Sequence, residues 1–94
     1  MPSIIRLTDI SLGHGGWPPR ANITASTDVF ANNLGVHRVG DKWAIHCNGP
    51  ACHDGTQATG SPNVFANNKA VARTGDSISC TDFDAAGSPN VFAN

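Results

Sequence analysis

The sequence predicts a small all-β domain of short hairpins arranged about a pseudo-symmetry axis. Three observations point there. Val-Phe-Ala-Asn occurs three times, at 29–32, 64–67 and 91–94. Ten glycines and six prolines are scattered so that the longest stretch without either is 20–34, which leaves no room for a bundle of long helices. Leu, Ile, Val and Phe number only 19, a thin supply for the core of a single domain spanning 1–94.

The first unit starts at Ala25-Ser26-Thr27-Asp28 and enters a strand over 28–32, where β-branched and aromatic residues sit beside small or polar ones over a strand-length run. Asn32-Asn33 suits the positive-φ positions of a tight turn, because Asn tolerates the left-handed region better than most residues. A return strand is expected over 36–39, closed by Gly40-Asp41. The second unit repeats the pattern. Gly60-Ser61-Pro62-Asn63 leads into Val64-Phe65-Ala66-Asn67-Asn68, with a return over 71–74 and Gly75-Asp76 at its end. Gly87-Ser88-Pro89-Asn90 opens a third copy that reaches only Asn94, half a hairpin, whose end is expected at a surface or against a partner.

Charge and composition exclude several functions. Six basic and seven acidic residues give a net charge of -1 with no Lys/Arg cluster, so a nucleic-acid binder is not expected. All seven acids are Asp; without Glu, paired-Glu chemistry and a His/His/Glu metalloprotease site are unavailable. No apolar run is long enough to span a membrane. Residues 1–12 lack the basic start and apolar stretch of a secretory signal, so synthesis in the cytoplasm and export by another route are expected.

Four histidines and three cysteines in a core-poor chain suggest a metal staple. The candidates are His14, His37, His46, Cys47, Cys52, His53 and Cys80. His14 sits among glycines that let backbone pack close. His46 and His53 bracket Cys47-Asn48-Gly49-Pro50-Ala51-Cys52, a turn-rich stretch able to bring its ends together. His46 follows Gly40-Asp41 and Cys80 follows Gly75-Asp76 at nearly the same distance, so the two occupy near-equivalent places that converge towards an axis. Three His and one Cys around Zn²⁺ is a reasonable outcome of this set. His37 aligns with Ala72 and is expected to project from a return strand, with no part in metal binding or stability. Cys47 and Cys52 are spaced to form a small disulfide loop or to compete with a His as ligands.

Together these segments resemble the PAAR-repeat family, the small proteins that sharpen the tips of contractile injection machines. Lys69-Ala70-Val71-Ala72-Arg73-Thr74-Gly75-Asp76 resembles its Pro-Ala-Ala-Arg-x-Gly-Asp element. Gly13-His14-Gly15, Trp17-Pro18-Pro19, the 46–53 segment, Gly60-Ser61-Pro62 and Val64-Phe65-Ala66-Asn67 follow its pattern in the same order. No copy here reads Pro-Ala-Ala-Arg; the first has Leu34-Gly35-Val36-His37-Arg38.

The resemblance implies a conical fold with pseudo-threefold repeats, stapled near its apex by one structural Zn²⁺ on His14, His46, His53 and Cys80. Its broad base would cap a trimeric β-helical spike, one cone per trimer, and help it pierce a cell envelope that it touches only transiently. No small-molecule substrate is implied. Members serve phage and phage-like tails or bacterial type VI secretion. The expected setting is thus the tip of a virion tail baseplate, or else the bacterial cytoplasm followed by export through a type VI apparatus. The family's toxin and adaptor extensions have no room in 94 residues, so the cone alone is expected. The base contact is expected among Val29, Phe30, Val64, Phe65, Val91, Phe92 and Asn94. Two rival readings are a zinc hydrolase with Asp54 as general base, which needs an open coordination position, and a stand-alone binding module indifferent to spikes.

Overall fold

Asn32 and Asn33 hold φ at 54° and 65°, and Asn67 and Asn68 at 54° and 63°, so both Asn-Asn pairs form the left-handed two-residue turns their sequence favours. In the computed structural model, which describes Met1–Asn94, each turn joins two very short antiparallel strands. These are β1 (Phe30–Ala31) with β2 (Leu34–Gly35), and β5 (Phe65–Ala66) with β6 (Lys69–Ala70). Between them lies a longer hairpin, β3 (Lys42–Asn48) with β4 (Ala51–Thr56), and there is no helix. Only 9 of the 42 backbone–backbone hydrogen bonds fall inside these strands. The remaining 33 lie in turns and loops, and some of them tie one unit to the next.

The return strands lie at Leu34–Gly35 and Lys69–Ala70, directly after the turns, and not at the expected 36–39 and 71–74. Regular pairing stops at Gly35 and Ala70; Val36 and Val71 each keep one N–H bond to their own hairpin, to Val29 O and Val64 O, while they bridge a neighbouring unit. Arg6 pairs with Val36, Arg38 with Val71, and Ile4 with Arg73, a cycle of three. At the axis the backbone closes a ring. Ile5 N–H donates to Ala72 O, Ala72 N–H to His37 O, and His37 N–H to Ile5 O, at 2.9–3.0 Å. All three side chains are fully buried.

The third Val-Phe-Ala-Asn copy is completed by the other end of the chain. Ile4 N–H donates to Val91 O, as Val36 does to Val29 and Val71 to Val64, and Ser3 bridges Phe92. The segment 2–4 thus serves as the missing return strand, and the half hairpin becomes a whole one.

Each unit then enters the same turn: Arg6-Leu7-Thr8-Asp9, Arg38-Val39-Gly40-Asp41 and Arg73-Thr74-Gly75-Asp76. In each, the Asp carboxylate accepts from the Arg backbone N–H, its Nε and its Nη2, at 2.7–3.0 Å. Such bidentate charge-assisted pairs fix direction as well as energy. The third residue has positive φ every time: 73° at Thr8, 92° at Gly40 and 86° at Gly75.

The apolar core is one small cluster around the axis, with Ile4, Val36 and Val71 alternating with Ala31, Ala66 and Ala93. Ser26, Ser61 and Ser88, all buried, each accept two backbone N–H groups at the entry to their Val-Phe-Ala-Asn segment. Of the buried side chains, 13 are polar or charged against 10 hydrophobic ones. A molecule 37 × 24 × 21 Å in extent holds little interior, and polar ties do much of the work of a core.

Candidate metal centre

After its Arg-x-x-Asp turn, each unit delivers one candidate ligand: His14 follows Asp9 by five residues, His46 follows Asp41 by five, and Cys80 follows Asp76 by four. The three come from equivalent places and meet, and His53 joins them from β4, directly opposite His46 in the hairpin register. Ligand atoms of His14, His46, His53 and Cys80 all lie within 4.8 Å of one another. The four residues named from the resemblance are thus brought together, with His46 and His53 paired across one hairpin.

The Nε2 atoms form a tight triangle: 3.2 Å from His14 to His46, 3.1 Å from His14 to His53 and 2.8 Å from His46 to His53. Nδ1 of His46 lies 2.8 Å from Pro18 O, to which it can only donate. In the neutral ring this leaves Nε2 as a lone pair, and three Nε2 atoms that each carry either one proton or one lone pair cannot satisfy all three contacts of the triangle by hydrogen bonds alone. A cation among the four donors converts converging lone pairs into ligands. Tetrahedral zinc with Zn–N near 2.05 Å places ligand nitrogens ~3.3 Å apart, close to the spacing here. Burial, then the nearby His46 and His14 rings, lower the His53 pKa, which favours the neutral ring that metal ligation requires. The donor set fits a metal ion.

Several residues around the donors gain a defined supporting contact only in the structure. His14 and Trp17 exchange backbone hydrogen bonds at 3.0 and 2.8 Å across Gly15-Gly16, and the Trp17 indole stacks on His14 with centroids 5.1 Å apart. Trp17 Nε1–H also donates to Ala51 O, tying this turn to the β3–β4 hairpin. Gly13, with φ of 81°, must be glycine: a Cβ there would come within 2.7 Å of Trp17 O. Beside Cys80, the buried Arg20 guanidinium donates to Sγ at 3.3 Å, to Asp82 and to Ala44 O, and stacks over Trp43. Only the fold reveals Arg20, because these hydrogen-bond partners lie 24 to 62 residues away.

The other candidates separate cleanly. Cys47 and Cys52 form a disulfide one register position beyond His46 and His53, so they do not compete as ligands. His37 is outside the metal group, but it does not project as expected. It is fully buried at the axis, with Nδ1 2.8 Å from Thr24 O and its ring against Trp43. Asp54 is exposed on β4. Among the residues expected at the base, Phe30 and Phe65 are 59% exposed and Phe92 47%, while Val64 and Val91 pack on the core. Val29 and Asn94 are exposed.

Fold and site together define a small all-β domain whose three pseudo-equivalent units converge on a His/His/His/Cys group. The family model for the PAAR motif matches residues 12–83 and 50–94, and the chain belongs to that family. It is a family of structural spike tips of contractile injection machines, not of enzymes. No curated protein matches the chain closely enough to serve as a relative.

Proposed function

We propose that this protein is the tip of a contractile injection spike, holding one Zn²⁺ at its apex and seated by its Phe-bearing hairpins on a trimeric β-helical spike. The observation that carries the reading is the convergence of one ligand from each unit, plus His53, into a single four-donor group. Bound there, zinc supplies a closed four-ligand cross-link that leaves no position for substrate or attacking water. The chain's own residues do the rest. His14, His46 and Cys80 tie the three units at one point, and His53 ties in the hairpin between them. A tapering body buries few side chains near its point, so such a staple stands in for hydrophobic core where load concentrates.

At the other task, Phe30, Phe65 and Phe92 occupy equivalent positions on equivalent hairpins, so each meets one protomer of a threefold partner. The cap also covers strand edges that the spike would otherwise leave open. The cone contacts the target envelope only as the spike passes through. Its setting is the baseplate tip of a phage or phage-like tail. The type VI apparatus, reached from the bacterial cytoplasm, is the alternative, and copurification with tail particles or with the secretion spike separates the two.

The test is metal content and stoichiometry on the intact chain. One zinc per chain and one chain per spike trimer is the expected result. A metal-free folded protein, or one indifferent to trimeric spikes, refutes the reading and favours a stand-alone binding module.

A further inference from the structure

The Cys47–Cys52 disulfide has no part in the site as described so far, yet it adjoins His46 and His53 directly in the β3–β4 ladder. On the other side of that His pair, the register slips between Trp43 and His46. Regular pairing from the well-buried Trp43 end therefore does not carry through to the histidines. The outer side has Asn48 opposite Ala51, a Gly49-Pro50 turn with Gly49 at φ of 60°, the Trp17 Nε1–H bond to Ala51 O, and the disulfide. Of these, the disulfide alone is a covalent constraint on how far β3 and β4 stand apart at His46 and His53.

We propose that Cys47 and Cys52 are a positioning pair for the metal group, so that disulfide state and metal occupancy are thermodynamically linked. Holding two of four donors at fixed separation before the ion arrives removes ordering cost from binding. The oxidised chain therefore holds the ion more tightly than the reduced chain. Linkage is reciprocal, so the bound ion makes the disulfide harder to reduce by the same factor. Strand alternation sets the cysteines on the face opposite the histidines, so reduction frees two thiols that do not face the metal. Both cysteines are exposed and open to exchange. In reduction, a dithiol reagent gives two electrons and two protons, the Cys47–Cys52 S–S bond breaks to two thiols, and the reagent becomes a disulfide. A disulfide oxidant reverses the step. The ion is thus held more loosely under reducing conditions and locked in under oxidising ones.

The proposal rests on the metal reading above, and its test tells the two apart. Zn²⁺ affinity is measured by chelator competition on the full-length oxidised chain, and again after reduction under argon. The disulfide's reduction potential is measured in dithiothreitol buffers with and without Zn²⁺. The expected result is at least about tenfold weaker binding after reduction, matched by a fall of about 30 mV in potential when the metal is bound. The double variant Cys47→Ser/Cys52→Ser is expected to bind like the reduced chain; should it fail to fold, the reduced natural chain carries the test alone. Equal affinity in both states overturns the linkage and leaves the metal site standing. Tighter binding by the reduced chain also overturns it, because the thiols would then be acting as ligands. No uptake in either state removes the metal reading and this proposal together.

Discussion

Replacing Phe30 with alanine is expected to weaken seating on a trimeric spike about a hundredfold while leaving the isolated fold intact. A Phe side chain presents ~200 Å². With 59% of Phe30 exposed, ~120 Å² is available to a partner. At ~25 cal/mol per Å², covering it contributes ~3 kcal/mol. Phe65, equally exposed, carries the same expectation, and Phe92 at 47% a roughly fiftyfold loss. Because these rings already face solvent, each change moves folding stability by no more than ~0.5 kcal/mol. The assay is calorimetric titration of the spike trimer with each variant, alongside thermal melts of the free chain. Phe83→Ala is the control, since Phe83 is 45% exposed but lies outside the three hairpins. If all three hairpin variants bind like the natural chain, or if Phe83→Ala weakens binding as much as they do, the base is elsewhere.

Five further outcomes test the fold and the metal group. His46→Ala and Cys80→Ala are expected to abolish zinc retention by elemental analysis and to lower the melting temperature sharply. His37→Ala keeps the metal, but it costs ~2–3 kcal/mol in denaturant titration, because it empties a fully buried site and unpairs Thr24 O. Burial, with the Asp76 and Asp82 carboxylates adding to it, raises the Asp84 pKa to about 8 against the pull of Gln57. Below pH ~4 Asp84 is protonated in both states. As pH rises the unfolded chain ionises first, so stability falls until about pH 8, where the folded carboxyl ionises too and the loss levels off. Asp84→Asn keeps an acceptor for Gln57 and flattens that decline, raising the melting temperature more at pH 8 than at pH 4. Thr8→Gly relieves a β-branched residue at φ of 73° and is expected to stabilise the chain by ~1 kcal/mol in denaturant titration. Gly55→Ala puts a methyl 2.9 Å from Arg20 Nη2 and Ile78 Cγ2 and 3.2 Å from Cys80 Sγ, so zinc affinity is expected to fall in a chelator competition.

Thr8 also shows why part of the symmetry was hard to read. The turns at 38–41 and 73–76 share a Gly-Asp signature, but the turn at 6–9 has Thr where the others have Gly. The feature common to all three is Arg-x-x-Asp, whose meaning emerges only when the Arg fork is seen on its own carboxylate. Without that third turn, His14 looks like an isolated residue among glycines. With it, His14 becomes the counterpart of His46 and Cys80. His37 departs from expectation for a related reason: it aligns with Ala72, but that position is the closed ring at the axis and not an open strand face.

The amino-acid order by itself determined the two short repeat hairpins with their Asn-Asn turns and the pool of metal donors, because turn chemistry acts over a few neighbouring residues; the longer β3–β4 hairpin reads in sequence only as a turn-rich stretch. Which donors meet was decided by tertiary structure, as were the completion of the third hairpin by residues 2–4, the disulfide and the Arg20 network. Those depend on how three units close around an axis. Closure is a property of backbone hydrogen bonds between distant segments, and no local pattern encodes it.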